Sequence, residues 1–177
     1  MILWLSAYLS EFQSGFNVFQ YLTLRTILAV ITALGISISI GPYFIFLLRK
    51  FQIGQNIRLD GPKTHFSKAG TPTMGGSLML IAITISTILW ADISNRFVII
   101  ILLSTMFFGL IGFADDYLKL SRGSSDGLSA RFKFLLQWIA ALLVAFLLFF
   151  QSESIAETTL FFPFFKNINY ELGLLYL

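Results

Sequence analysis

Long uncharged apolar runs alternate with short charge-bearing stretches along this chain. A spanning helix needs roughly 20 mostly apolar residues, and four runs approach that length. Residues 26–48 form 23 uncharged positions, and 73–91 are also uncharged, with a Gly75-Gly76 pair near their start. Residues 97–114 give 18 uncharged positions followed at once by Asp115-Asp116, and 134–150 give 17 positions with Gln137 as the one strongly polar group. The pattern predicts an all-α, polytopic helical membrane protein with four transmembrane helices and the start of a fifth at 172–177. Pro42 follows Gly41 inside the first run, which predicts a kink or a local helix end there.

The flanking segments differ in kind. Trp4, Tyr8, Phe12, Phe16 and Phe19 recur near helical spacing, which predicts an amphipathic helix on the membrane interface. No basic n-region precedes them, and Glu11 and Asn17 interrupt the apolar stretch, so they do not read as a cleavable signal. After Phe150 a polar stretch with Glu153 and Glu157 leads into Phe161-Phe162-Pro163-Phe164-Phe165, which suits a short interfacial structure. The apolar segment at 172–177 is too short to span, so the chain reads as cut inside a larger membrane domain.

Composition agrees with this division. The chain has 177 residues, 56% hydrophobic and only 12% charged, with 20 Phe and a mean hydropathy of +0.82. Soluble domains carry about 25% charged residues, so a water-facing globule is excluded. There is no Cys, which excludes a disulfide scaffold. A net charge of +3 and a pI near 9.3 would suit a nucleic-acid binder in a soluble protein. Here the charges mark sidedness instead, and no nucleic-acid partner is expected. Nine of the 12 basic residues fall in the loops 49–72 (Arg49, Lys50, Arg58, Lys63, Lys68) and 115–133 (Lys119, Arg122, Arg131, Lys133). Basic loops stay in the cytoplasm, which places both loops there and the N-terminus outside.

Those two loops also hold the candidate chemistry. Asp115 and Asp116 meet the membrane edge, where adjacent negative charges repel unless a cation relieves them. A divalent metal would do so, as would Lys119, at i+4 and i+3 from the two acids. The plain alternative is a helix end in water with Lys119 as a surface partner, although a helix C-terminus disfavours anions. The other loop runs from Asp60-Gly61-Pro62 through His65, Lys68, Thr71 and Thr73 to Gly75-Gly76. Its glycines allow close backbone approach, its threonines and Lys68 can meet a phosphate, and it opens onto a helix N-terminus. It lacks the Walker pattern. An N-capped Gly/Pro turn accounts for the same residues. His65 is the only histidine, which rules out a zinc site built from several His or Cys ligands. Arg131 and Lys133 suit anchors for anionic lipid or, alternatively, contacts to a diphosphate.

Together these residues resemble a family. Gly61-Pro62 through His65-Phe66-Ser67-Lys68 to Gly70-Thr71-Pro72-Thr73-Met74-Gly75-Gly76 is similar to the first cytoplasmic loop of the phospho-N-acetylmuramoyl-pentapeptide transferases. Gly112-Phe113-x-Asp115-Asp116-Tyr117-x-Lys119 and Ser14-Gly15-Phe16-Asn17-Val18-Phe19 resemble that family as well, and the likeness covers the whole chain. The Asp pair alone would point only to the wider group of polyprenyl-phosphate N-acetylhexosamine-1-phosphate transferases.

The resemblance implies transfer of phospho-N-acetylmuramoyl-pentapeptide from its UDP donor to undecaprenyl phosphate. The products are lipid I and UMP, in the first membrane step of peptidoglycan synthesis at the bacterial inner membrane. It implies Mg2+, catalytic roles for Asp115 and Asp116, and substrate contacts from Lys68, Thr73 and Lys119. The first acid would deprotonate or orient the lipid phosphate, and metal binding by the pair would be shared with C-terminal residues. A homodimer is compatible with it. The family has ten spans, so this chain would be the N-terminal half of a single membrane transferase domain, expected to be inactive or nearly so alone. Two alternatives remain: a related transferase for another sugar phosphate, and a non-catalytic membrane protein.

Overall fold

The computed structural model describes residues 1–50, 74–122, 126–162, 164 and 169–176. The fold is mostly helical. A short helix α1 (Ile2–Ser10) and a 3-10 segment (Ser14–Gln20) precede α2 (Leu22–Lys50), α3 (Gly75–Trp90), α4 (Arg96–Arg122) and α5 (Ala130–Phe150). A 3-10 turn (Ile155–Thr158) then leads to a small hairpin of β1 (Thr159–Phe161) and β2 (Asn169–Glu171), and a 3-10 turn (Gly173–Tyr176) closes the described chain.

Helices α2, α4 and α5, of 29, 27 and 21 residues, are long and apolar enough to cross a membrane. Helix α3 is equally apolar but has 16 residues. At 1.5 Å rise per residue it extends about 24 Å, short of a bilayer's ~30 Å hydrocarbon core.

Helices α2 to α5 each pack antiparallel on the next in sequence, as three sets of contacts show. Gly41 of α2 lies against Leu78, and Thr32 accepts a 2.8 Å hydrogen bond from the Trp90 indole of α3. Thr84 of α3 donates to the Met106 sulfur of α4 at 3.3 Å, and Gly109 sits against the Leu80 side chain. On α4, Arg96 meets the Gln151 carbonyl just past α5, while Asp115 meets Lys133 near the start of α5. Helix connections therefore alternate between two ends of the layer. The Met1 end also holds α1, whose terminal amine donates to the Ile88 carbonyl at 3.0 Å, and Phe19 stacked on Trp90.

Few residues are shielded within this layer. The buried apolar side chains among the described residues are Leu48, Ala82, Ile100 and Ala140, contributed by four different helices. Broad faces of Ile, Leu and Phe point outward, as expected for helices whose solvent is lipid. In such a setting backbone and side-chain polar groups must be satisfied internally. The hydroxyls of Thr26, Thr32, Ser37 and Thr105 accordingly donate to carbonyls one turn back.

Several expectations change. Helix α2 continues through Pro42 rather than ending there. One ladder hydrogen bond is lost, which costs less than exposing a broken helix end to lipid, and Gly41 beside it is buried against Leu78 of α3. The N-terminal aromatics form α1 and a separate 3-10 segment, not one amphipathic helix; Gln13 at the junction is extended. The all-α reading needs the β1–β2 hairpin added, paired Thr159↔Glu171, Leu160↔Tyr170 and Phe161↔Asn169. Residues 173–176 make a 3-10 turn where an apolar helix was expected to start.

Candidate functional site

Helix α4 does not end at the acidic pair. After Asp116 the sequence Tyr117-Leu118-Lys119-Leu120 contains no helix breaker, and the helix runs on to Arg122. The pair thus lies more than a turn inside the helix, and the dipole argument against two anions at a C-terminus does not apply. Lys119 and Arg122 occupy the last turn instead, where cations are favoured.

Adjacent helical side chains diverge by about 100°, and the two acids take different environments. Asp115 turns toward α5 and is buried, its side chain 10% accessible; Asp116 stays at the rim, 35% accessible. Lys119 joins them, with its Nζ 2.7 Å from Asp115 Oδ2 and 3.3 Å from Asp116 Oδ1. Lys133 reaches across from α5 to the same Asp115 Oδ2 at 3.2 Å. The remaining oxygen, Oδ1, accepts a 2.9 Å hydrogen bond from the Leu128 backbone N–H. Asp115 therefore has both oxygens engaged, by two ammonium groups and an amide.

The turn before α5 makes that arrangement. Ser129 caps α5 by accepting from the Phe132 N–H at 3.4 Å, which places Lys133 one turn inside the helix. Gly127 passes so close to Asp115 that a Cβ there would collide with its carboxylate. The Gly127 carbonyl accepts from Arg122 at 3.5 Å, drawing the turn back onto the end of α4.

A second depression opens at the same end, on the other flank of α4. Its volume is about 510 Å³, and Phe44, Leu48, Met74, Ser77, Phe113 and Tyr117 contribute to its walls. Met74 precedes α3 in the left-handed region, with φ of 70°, which is uncommon for a residue with a side chain. The pattern of apolar runs gave no sign of that conformation.

Among the expected site residues, the fold brings Asp115, Asp116 and Lys119 together. Lys68 and Thr73 lie outside the described residues, as does His65. Arg131 is exposed on α5 and takes no part in the cluster, whereas Lys133, weighed only as an anchor or diphosphate contact, is central to it. A local signal puts Lys133 on α5, though not against Asp115. Ser129 is a good cap residue four positions earlier, but the apolar run used to place the span begins only at Phe134.

The donor set can be tested against magnesium. Among the described residues no group of three or more His, Asp or Glu converges. Mg2+ is commonly held by one or two carboxylates together with substrate phosphates and water. Asp116 fits that mode, because its Oδ2 accepts no hydrogen bond from a described residue. Asp115 would have to release a lysine first. Compared with known protein families, the chain matches no family model.

Proposed function

We propose that this chain supplies the acid–lysine part of a membrane transferase site that passes phospho-N-acetylmuramoyl-pentapeptide from its UDP donor to undecaprenyl phosphate. The observation that carries this reading is the cluster at one end of the helical layer, where two lysines converge on a carboxylate pair at the close of a membrane-length apolar helix. Such a place can receive a phosphate from water and another from a lipid. The sequence likeness of 61–76 and 112–119 to that transferase family selects the substrates.

In the reaction, an oxygen of the lipid phosphate bonds to the sugar-bearing phosphorus of the donor, and the bond from that phosphorus to UMP breaks. The products are lipid I and UMP. Lys119 stabilises negative charge beside the pair, Asp116 would hold a magnesium ion, and Lys68 and Thr73 are assigned to the donor side. Bound magnesium would supply charge screening between the phosphates.

In this reading α3 crosses with α2, α4 and α5, making four spans, since it joins the same two ends of the layer. The basic loops then face the cytoplasm of a bacterial inner membrane and the N-terminus lies outside. A related sugar-phosphate transferase is the second reading, because the Asp pair is shared by that wider group.

Membranes carrying the chain, alone and with separately expressed later helices of a family member, are supplied with labelled donor and undecaprenyl phosphate. Lipid-linked product and UMP are expected in the supplemented membranes. Product should vanish with EDTA and fall about 100-fold or more in Asp116→Asn. Absence of product in both preparations overturns the reading, and equal product from UDP-N-acetylglucosamine selects the related transferase.

A further inference from the structure

We infer that Arg25 holds the phosphate of an anionic phospholipid at the Met1 end of the layer. The inference needs α2 to lie in a membrane, but it is independent of the transferase chemistry, which belongs to the opposite end. Arg25 is half-buried in the first turn of α2. Its side chain makes no hydrogen bond or ion pair with a described residue. The Nε is enclosed without a partner, while the two terminal nitrogens, equally unpartnered, are open. A charge partly withdrawn from water costs free energy unless an anion meets it, and the open end of the guanidinium is where one can.

The chain does not supply that anion. Glu153 and Glu157 are held by Arg96. Asp92 accepts from the Ser94 N–H at 3.0 Å, and Glu11 and Glu171 are exposed; none of the three forms an ion pair with a described residue. Asp60, the one acidic side chain outside the described residues, follows the opposite end of α2 in sequence. Nor is there an acid in the first turn of α2. The Arg25 cation therefore stands against the positive end of the helix dipole with no charge to offset it.

Position identifies the ligand. Arg25 precedes Thr32 by seven residues, or two turns, so it shares the face of α2 that meets Trp90 and lies about 10 Å nearer the end of the layer. Phe19 stacks on Trp90 there, and Tyr21 is exposed one turn before Arg25. Trp and Tyr gather at the depth of lipid headgroups. The abundant anion at that depth is a lipid phosphate, and the paired terminal nitrogens of a guanidinium match two of its oxygens. A zwitterionic lipid brings its own ammonium, whereas an anionic one supplies the single negative charge that Arg25 lacks.

The full chain, isotope-labelled at its tryptophan nitrogens, is placed in phosphatidylcholine nanodiscs. Each preparation is doped with phosphatidylglycerol or phosphatidylcholine carrying a nitroxide near the glycerol. Broadening of the Trp90 indole resonance reports lipid beside Arg25, with Trp138 of α5 as the internal reference. Phosphatidylglycerol should broaden Trp90 at lower doping than phosphatidylcholine does. Arg25→Gln should raise the phosphatidylglycerol needed for half-maximal broadening about tenfold or more, the worth of a charged hydrogen bond. Arg25→Lys, which keeps the charge but not the fork, should retain part of the preference.

Equal broadening of Trp90 by the two lipids in the native chain overturns the inference without recourse to any variant. So does a preference that survives Arg25→Gln, or one lost as fully in Arg25→Lys, which would assign the effect to packing. If inorganic phosphate abolishes the preference while chloride at equal ionic strength does not, the site takes a free anion and the lipid assignment falls. A preference that follows Arg25 in a chain giving no lipid-linked product leaves the inference standing and the transferase reading overturned.

Discussion

Asp115 and Asp116 are neighbours in sequence with unlike fates, and a glycine twelve residues past Asp115 maintains the difference. Gly127 lets the turn before α5 press against the Asp115 carboxylate so that the Leu128 N–H can reach Oδ1. An added methyl group would push the turn away, at a cost typical of overpacking, about 1–3 kcal/mol. Gly127→Ala should therefore release the Leu128 amide, and its hydrogen exchange should quicken about tenfold or more. Exchange in Gly127→Ala as slow as in the native chain would show that the contact holds nothing. The residues that composed this site were legible in part. Lys119 could be placed because i, i+3 and i+4 geometry is local to one helix. Lys133, Gly127 and the Leu128 amide could not, because their roles depend on how α5 returns along α4, which no spacing within either segment encodes.

Helix boundaries show the same division between local and tertiary information. The apolar runs located every long helix, yet α4 and α5 extend into charged sequence at the Asp115 end, where hydropathy falls although helical propensity does not. Helix termini follow caps and breakers, as at Ser129, more closely than they follow the apolar boundary. Pairing of the helices depends on small residues: without a hydrophobic drive in lipid, close approach supplies the contact. Gly109 is the clearest case, since a Cβ there would strike the Leu80 side chain of α3. Gly109→Ile should destabilise the α3–α4 seam by about 1–3 kcal/mol, seen as a lower melting temperature in detergent. Leu80→Ala in the same chain should restore much of the loss, because it vacates the space that the new side chain needs. A Gly109→Ile chain that melts with the native one, or no recovery in the pair, would place the close contact elsewhere.

The whole layer presents two chemically different ends, and this asymmetry gives the membrane reading its sharpest test. At one end Lys119, Arg122, Arg131 and Lys133 accompany the acids; at the other, Arg96 of α4 is neutralised by Glu153 at 3.1 Å and Glu157 at 2.8 Å. There two carboxylates from the segment after α5 match that single guanidinium, whereas the acid-bearing end keeps an excess of cations. The same contacts tie that segment, and the β1–β2 hairpin beyond it, to the start of α4. With no native Cys in the chain, single-cysteine labelling reports sidedness without background. Ser154→Cys and Ser121→Cys both lie at exposed positions, at opposite ends of the layer. In intact spheroplasts a membrane-impermeant maleimide should label Ser154→Cys and leave Ser121→Cys unmodified until the membrane is opened. Gln13→Cys should behave as Ser154→Cys does, because it lies at the Met1 end, which four crossings would put on the same side. Labelling of Ser121→Cys in intact cells would invert the layer and move the acid–lysine cluster away from any cytoplasmic nucleotide donor. Labelling of Ser154→Cys but not Gln13→Cys would mean an odd number of crossings between them, with α3, the shortest of the four helices, the first to lose its place as a span.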